Sequence, residues 1–153
     1  MPRETIAIGA DHAGYSLKAT LAADLLTMGY EVLDLGTNSE VSVDYPDYGF
    51  GVAEAVASGK ARFGIAVCGT GVGIAIAANR HPEIRAALCA SGLMARLARE
   101  HNDANVMTLG SRIIGIEVAR DCVRQFLSSS YAAGRHAGRV AKLGQSHFED
   151  AAE

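Results

Sequence analysis

The sequence predicts an α/β fold: a parallel sheet with helices on both faces, a three-layer αβα sandwich. Short apolar runs alternate with segments of helical periodicity along the chain, which is the pattern of repeated βαβ units. The runs Ile6-Ala7-Ile8, Phe63-Gly64-Ile65-Ala66-Val67 and Val106-Met107-Thr108-Leu109 are nearly continuous rather than alternating, as in strands covered on both faces. The connections are short, and glycine closes several elements.

The elements follow in order. Thr5–Gly9 reads as the first strand, and Asp11-His12-Ala13-Gly14 as the turn after it. Leu17, Leu21, Leu25 and Met28 recur at helical spacing in a helix from Tyr15 to Met28, which Gly29 stops. Glu31–Leu35 is the second strand. A long loop from Thr37 to Tyr48 contains Asp44-Tyr45-Pro46-Asp47, and a helix from Tyr48 to Ser58 ends at Gly59. The third strand, Arg62–Val67, runs into Cys68-Gly69-Thr70-Gly71-Val72-Gly73 and then a helix reaching about Arg80. Ile84–Cys89 is a fourth strand and Gly92–Glu100 a helix. A polar turn, His101-Asn102-Asp103-Ala104-Asn105, precedes a fifth strand at Val106–Leu109. After the turn Gly110-Ser111-Arg112 comes a helix from Ile116 to Leu127, with Ile116, Val123, Phe126 and Leu127 on its apolar side. A last helical pattern covers about 135–143, and the tail 145–153 is expected to fray.

With 153 residues and no repeat, low-complexity segment or linker, the chain is expected to form one domain over 1–153. A net charge of −3 gives no footprint for nucleic acid or an anionic membrane. No apolar run approaches the roughly 18 residues of a membrane span. The chain enters Ile6-Ala7-Ile8-Gly9 almost at once, so no signal peptide is expected. The three cysteines, Cys68, Cys89 and Cys122, are far apart and odd in number. That fits a reducing, cytoplasmic setting rather than a disulfide framework or a zinc ribbon.

In parallel sheets ligands bind beyond the carboxyl ends of the strands. Asp11 and His12, Tyr45, Cys68, Ser91, and Ser111 with Arg112 all follow strands. His101 and Asn102 close a helix instead, so their position depends on the tertiary fold. Three readings stay open for Gly69-Thr70-Gly71-Val72-Gly73: a dinucleotide loop, a tight turn without a ligand, and a nest of N–H groups for an anion or oxyanion. Against the first, the pattern is not G-x-G-x-x-G, and Leu88 and Cys89 stand where an acidic residue is wanted. Against the second, three alternating glycines cost backbone entropy. The third leaves Cys68 at the mouth of the nest, where N–H groups favour a thiolate; a plain buried cysteine is the alternative. Cys89 and Cys122 lack such a setting and read as core. His12 and His101 each have polar neighbours able to orient an imidazole. No H-x-x-x-H or H-E-x-x-H pair points to a metal. Arg135 and Arg139, four apart, project from one helix face beside His136. They are either a solvated face or a phosphate clamp reaching a partner subunit.

Taken together, Gly9-Ala10-Asp11-His12-Ala13-Gly14, Asp44-Tyr45-Pro46, Cys68-Gly69-Thr70-Gly71-Val72-Gly73, Ala77-Ala78-Asn79, the stretch from Arg99 to Asn105, Gly110-Ser111-Arg112 and Gly134-Arg135-His136-x-x-Arg139 resemble the type B ribose-5-phosphate isomerases. That family includes allose-6-phosphate and galactose-6-phosphate isomerases. The resemblance runs from Ile6 to about Leu143. It implies a Rossmann-like fold with a five-stranded parallel sheet, an aldose–ketose isomerase of phosphorylated sugars, and no metal or cofactor. It also implies a homodimer, with a tetramer left open, whose active sites lie at the subunit interface. By resemblance Cys68 is the base that takes the carbon-bound proton, and His101 opens the sugar ring. Thr70 assists at the enediolate. Asp11, His12, Tyr45, Gly69, Gly71, Val72, Gly73 and Asn102 match substrate-contacting positions. Arg112, Arg135 and Arg139 match the phosphate-binding set, the last two from the other subunit. A sister branch carries a glutamate base at the position of Ile74; a Cys68 base is what this chain has left. The alternatives are the same chemistry on another phosphosugar, including a tetrose phosphate, and a sugar-phosphate-binding regulator without turnover.

Overall fold

The strands present mainly large apolar side chains on one face of the sheet and mostly smaller ones on the other. In the computed structural model, which describes residues 3–148, five strands form one all-parallel sheet. They are β1 (Thr5–Ala10), β2 (Glu31–Asp34), β3 (Phe63–Cys68), β4 (Ala86–Leu88) and β5 (Val106–Gly110), in the order β2-β1-β3-β5-β4. The helices are α1 (Tyr15–Thr27), α2 (Tyr45–Ala57), α3 (Val72–Ala78), α4 (Gly92–Asn102), α5 (Ile116–Ser128) and α6 (Ala137–Leu143). The last five positions of the tail expected to fray lie outside the described residues.

Ile6, Ile8, Ile65, Val67, Met107 and Leu109 point to one face, where they pack with Leu21 and Leu25 of α1, Ala95 and Ala98 of α4, and Cys122 and Phe126 of α5. Phe63 meets Phe126 edge-on, 5.6 Å between centroids. The other face carries Ala7, Ala66 and Cys68 against Val52 of α2 and Ile74 of α3. Helix α2 comes down close there because Gly64 leaves room: a Cβ on it would stand 2.5 Å from Val52. Cys89 and Cys122 lie in the core, as expected.

Most element ends fall within one residue of the sequence expectation, and the larger differences have local causes. Helix α2 starts at Tyr45, not Tyr48, because Pro46 in the first turn presets a helical φ and has no N–H to lose. Helix α4 runs through His101 and Asn102, which therefore sit in its last turn rather than in a loop. Asp103 at φ 47° ends it. Helix α3 stops at Ala78, two residues short of Arg80. The fourth strand shrinks to Ala86–Leu88, and at its start side chains take the backbone N–H groups. Asn105 Oδ1 accepts the Arg85 N–H at 2.8 Å, and Asn79 Oδ1 accepts the Ala86 N–H at 2.7 Å. The last helical pattern opens with a 3-10 turn, Gly134–His136, and no residue of α6 is buried. No helix among the described residues is long and apolar enough to cross a membrane.

Candidate active site

Between β1 and β3 the connections part. The loop after β1 leads to α1 on one face, and the loop after β3 leads to α3 on the other. Such a switch point opens a crevice at the carboxyl edge of a parallel sheet. The two loops are joined where they leave the sheet: the Asp11 N–H donates to the Val67 carbonyl at 3.2 Å. The β5 loop closes the same edge. Ser111 N–H donates to the Cys68 carbonyl, and Ser111 Oγ to the Ala13 carbonyl at 2.8 Å.

Cys68 ends β3 and is 4% exposed. The Gly71 N–H donates to its Sγ at 3.2 Å, a contact that stabilises negative charge on sulfur. Gly71 holds this position at φ 78°, a left-handed conformation that costs a non-glycine residue. Its carbonyl accepts from the buried Thr108 hydroxyl at 2.9 Å, so β5 fixes the loop from below. Thr108 escaped the sequence reading, although a threonine inside the apolar run of β5 was its signal. Thr70 is exposed, and its Oγ1 accepts the Val72 N–H at 3.2 Å. The hydroxyl proton remains free to meet a ligand oxygen. Helix α3 has only two turns, so these directed N–H groups outweigh its dipole.

The other glycines seat side chains. A Cβ on Gly73 would stand 2.6 Å from the Tyr45 ring, and one on Gly69 would stand 3.2 Å from Arg112 Nη1. Tyr45 and Arg112 therefore lie directly over the loop, with Arg112 N–H bonded to the Gly69 carbonyl at 2.9 Å. Asp11 Oδ1 accepts the Gly14 N–H at 3.1 Å. His12 Nδ1 accepts the Val43 N–H at 3.2 Å, which leaves Nε2 as the donor of the neutral ring. One chain thus gathers Asp11, His12, Tyr45, Cys68, the loop 69–73 and Arg112 at one edge. Ile74 is fully buried beneath them. Ser91 is instead occupied capping α4, accepting the Met94 N–H at 3.2 Å.

His101, Asn102, Arg135 and Arg139 form a second cluster. They line a cavity of about 370 Å³ with His136, Val140 and Leu143. The Ala132 N–H donates to the Glu100 carbonyl at 3.0 Å, drawing the segment before α6 onto the last turn of α4. The His101 and His136 rings stack, with centroids 4.4 Å apart. Partial burial of the ring, with the positive charges of His101, Arg135 and Arg139 beside it, pushes His136 below the ordinary imidazole range. The sequence reading gave His136 no separate role; its place between two arginines was the available signal.

This cluster is at the wrong end of the sheet to meet Cys68 in the same chain. Helix α4 runs antiparallel to the strands, and its last turn feeds the start of β5, where the Gly64 N–H bonds the Asn105 carbonyl. Cys68 pairs with Gly110 at the far end of β5, four residues or roughly 13 Å along the strand from Val106. Among the described residues no group of three or more His, Cys, Asp or Glu side chains is set to hold a metal.

Residues 6–143 match the family model described as Ribose/Galactose Isomerase. The chain is 49% identical to ribose-5-phosphate isomerase B of Escherichia coli over 135 residues, 88% of this chain and 91% of that one. Among solved structures it resembles ribose-5-phosphate isomerase B of Clostridium thermocellum at 54% identity and a TM-score of 0.91, covering 92% of this chain and 95% of that one. It also resembles the Thermotoga maritima enzyme at 50% identity and a TM-score of 0.91, covering 94% and 99%.

Proposed function

The chain belongs to the ribose/galactose isomerase family, and from that premise we propose that it interconverts ribose 5-phosphate and ribulose 5-phosphate through a cis-enediolate. The observation that carries the reading is the buried Cys68 thiol at the switch point, with the Gly71 N–H directed at its sulfur. Cys68, as thiolate, takes the proton from C2 of the open aldose. The C–H electrons become the C1=C2 bond, and the carbonyl π electrons move to O1. A proton then passes from O2 to O1, the O2 electrons form the C2=O bond, and the C1=C2 electrons take the proton back from Cys68 at C1, giving the ketose. The developing oxyanion needs donors already in place, and the Thr70 hydroxyl with the N–H groups of the glycine loop supplies them. Asp11, His12 and Tyr45 hold the sugar hydroxyls, and Arg112 meets the phosphate.

His101 opens the furanose by exchanging protons with the ring oxygen and the anomeric hydroxyl. Its separation from Cys68 along the sheet favours a shared site in a homodimer. His101, Asn102, Arg135 and Arg139 then come together from the second copy, rather than the arginines alone. The unburied α6 supports the same arrangement, since its apolar residue Leu143 is left 62% exposed. Anchoring a remote phosphate with arginines fixes the reacting carbons in place. The chain works as one domain over 1–153 in the cytoplasm, without a metal or cofactor.

The test is kcat/KM on C4, C5 and C6 aldose phosphates, in the native sequence and in Cys68→Ala. The C5 substrate should lead. Loss of the base should cost about 10²–10⁴-fold in kcat while phosphosugar binding persists. Preference for a C6 substrate would move the assignment to the galactose side of the family, and near-normal turnover by Cys68→Ala would remove the thiol as base.

A further inference from the structure

At the amino-terminal end of the sheet, away from Cys68, the geometry points to a second anion site, one that takes a small phosphorylated molecule. Lys60, Arg62, Arg85 and Arg99 line an open cleft of about 450 Å³ there. Against these four cations the lining offers one carboxylate, Asp103. That carboxylate is already divided: Arg99 Nη1 reaches one oxygen at 2.9 Å and Arg85 Nη2 the other at 3.4 Å. Lys60 and Arg62 have no ion-pair partner among the described residues. The chain as a whole carries −3, so the cleft is a local reversal of charge able to concentrate anions.

The arginines are held rather than free. The Arg99 and Arg62 guanidinium carbons sit 4.6 and 4.7 Å from the centre of the same Phe63 ring. Arg85 Nε is anchored on the Asp103 carbonyl at 2.8 Å. Groups fixed in this way lose little freedom when a ligand arrives. Arg99 carries the second observation. Its side chain is 5% exposed, and its buried Nε has no hydrogen-bond partner among the described residues. Native proteins rarely leave a buried donor unused, least of all on a charged group. An anion in the cleft supplies the charge that Asp103 alone does not balance.

Three guanidinium groups and an ammonium favour phosphate, whose oxygens match the guanidinium fork. The volume exceeds that of a bare phosphate and falls within the range of metabolite-sized pockets. The site is separate from the proposed substrate phosphate subsite at Arg112, Arg135 and Arg139. It borders the turn of α4 that carries His101 and Asn102, since Asp103 is the next residue.

The experiment is a titration of inorganic phosphate into the ¹⁵N-labelled full chain at constant ionic strength, followed by amide shifts. Saturable shifts are expected at Arg62, Arg85, Asp103 and Asn105, and they should persist in Arg112→Ala/Arg139→Ala, which takes two of the three arginines from the proposed substrate phosphate subsite. The exposed pair Lys60→Glu/Arg62→Glu should weaken this binding at least about tenfold and leave kcat/KM for phosphosugars unchanged. Lys60→Gln alone, with no charge reversal, should weaken it less. The proposal is overturned if those amides do not move, if chloride moves them equally, or if binding is unaltered in both Lys60 variants. It is also overturned if the shifts vanish in Arg112→Ala/Arg139→Ala.

Discussion

Gly71→Ala tests whether the loop that presents Cys68 is held from below. Gly71 has φ 78°, and a left-handed backbone costs an alanine about 1–2 kcal/mol. The added methyl would lie 2.5 Å from Leu88 Cδ1, 2.9 Å from the Leu109 carbonyl carbon and 3.1 Å from the Gly110 nitrogen. Leu88 can turn aside, but the other two atoms belong to the backbone of β5 and cannot. Overpacking of this kind adds about 1–3 kcal/mol. The expected loss of about 2–5 kcal/mol is a large share of a domain's usual ~5–15 kcal/mol. Urea unfolding measures it. The same shift moves the Gly71 N–H off the Cys68 sulfur, and a displacement near 1 Å costs about 10²-fold in rate, read as kcat/KM. Gly73→Ala is the companion variant. Its methyl meets the ring of Tyr45, a half-exposed side chain that can swing away. Stability should then change by less than about 1 kcal/mol, while KM rises because Tyr45 is displaced. A Gly71→Ala protein within about 0.5 kcal/mol of the native sequence and with unchanged kcat/KM would refute the argument.

Three further outcomes follow from the site and the core. Mixing Cys68→Ala chains with His101→Ala chains, each inactive on cyclic substrate alone, should restore about a quarter of native activity if subunits re-pair at random across a two-fold axis; no recovery after verified exchange would place both residues in one subunit's site. Burial, with Cys122 beside it, pushes the Cys89 thiol up to about 12, and burial with Asp121 nearby pushes Cys122 up to about 11. At pH 8 only about 10⁻⁴ and 10⁻³ of these thiols are ionised, so thiol reagents should leave both unmodified until denaturant exposes all three cysteines, and rapid native labelling of either would contradict the packing. His136 has a folded pKa below its unfolded value. Its contribution to stability is therefore present above about pH 6.5 and declines as pH falls through the folded value. His136→Gln should flatten that acid-side decline in melting temperature, modestly because the ring is near solvent, and an unchanged slope would disconnect the ring from it.

The alternation of strands and helices, all five strands and the residues that line the carboxyl edge of the sheet are legible along the chain. Those features depend on local spacing: apolar runs make strands, glycines at alternate positions make a loop, and a parallel sheet puts Asp11, Cys68 and Arg112 beyond its carboxyl ends. Pro46, which looked like part of a loop, hid the true start of α2 because proline suits both settings. Which end of the sheet each cluster occupies comes from the folded arrangement. His101 and Asn102 read as a polar turn, but Asp103 takes the left-handed cap and keeps them helical, at the edge opposite Cys68. The stacking of His136 on His101 depends on a hydrogen bond between Ala132 and Glu100, 32 residues apart, and no local pattern encodes such a contact. The same holds for the amino-terminal cleft, where Lys60 and Arg62, Arg85, and Arg99 come from three separate stretches of chain. Spacing along the chain fixes which face of an element a residue occupies. Convergence of distant stretches is set by strand order and helix packing, which the sequence states only through the whole fold.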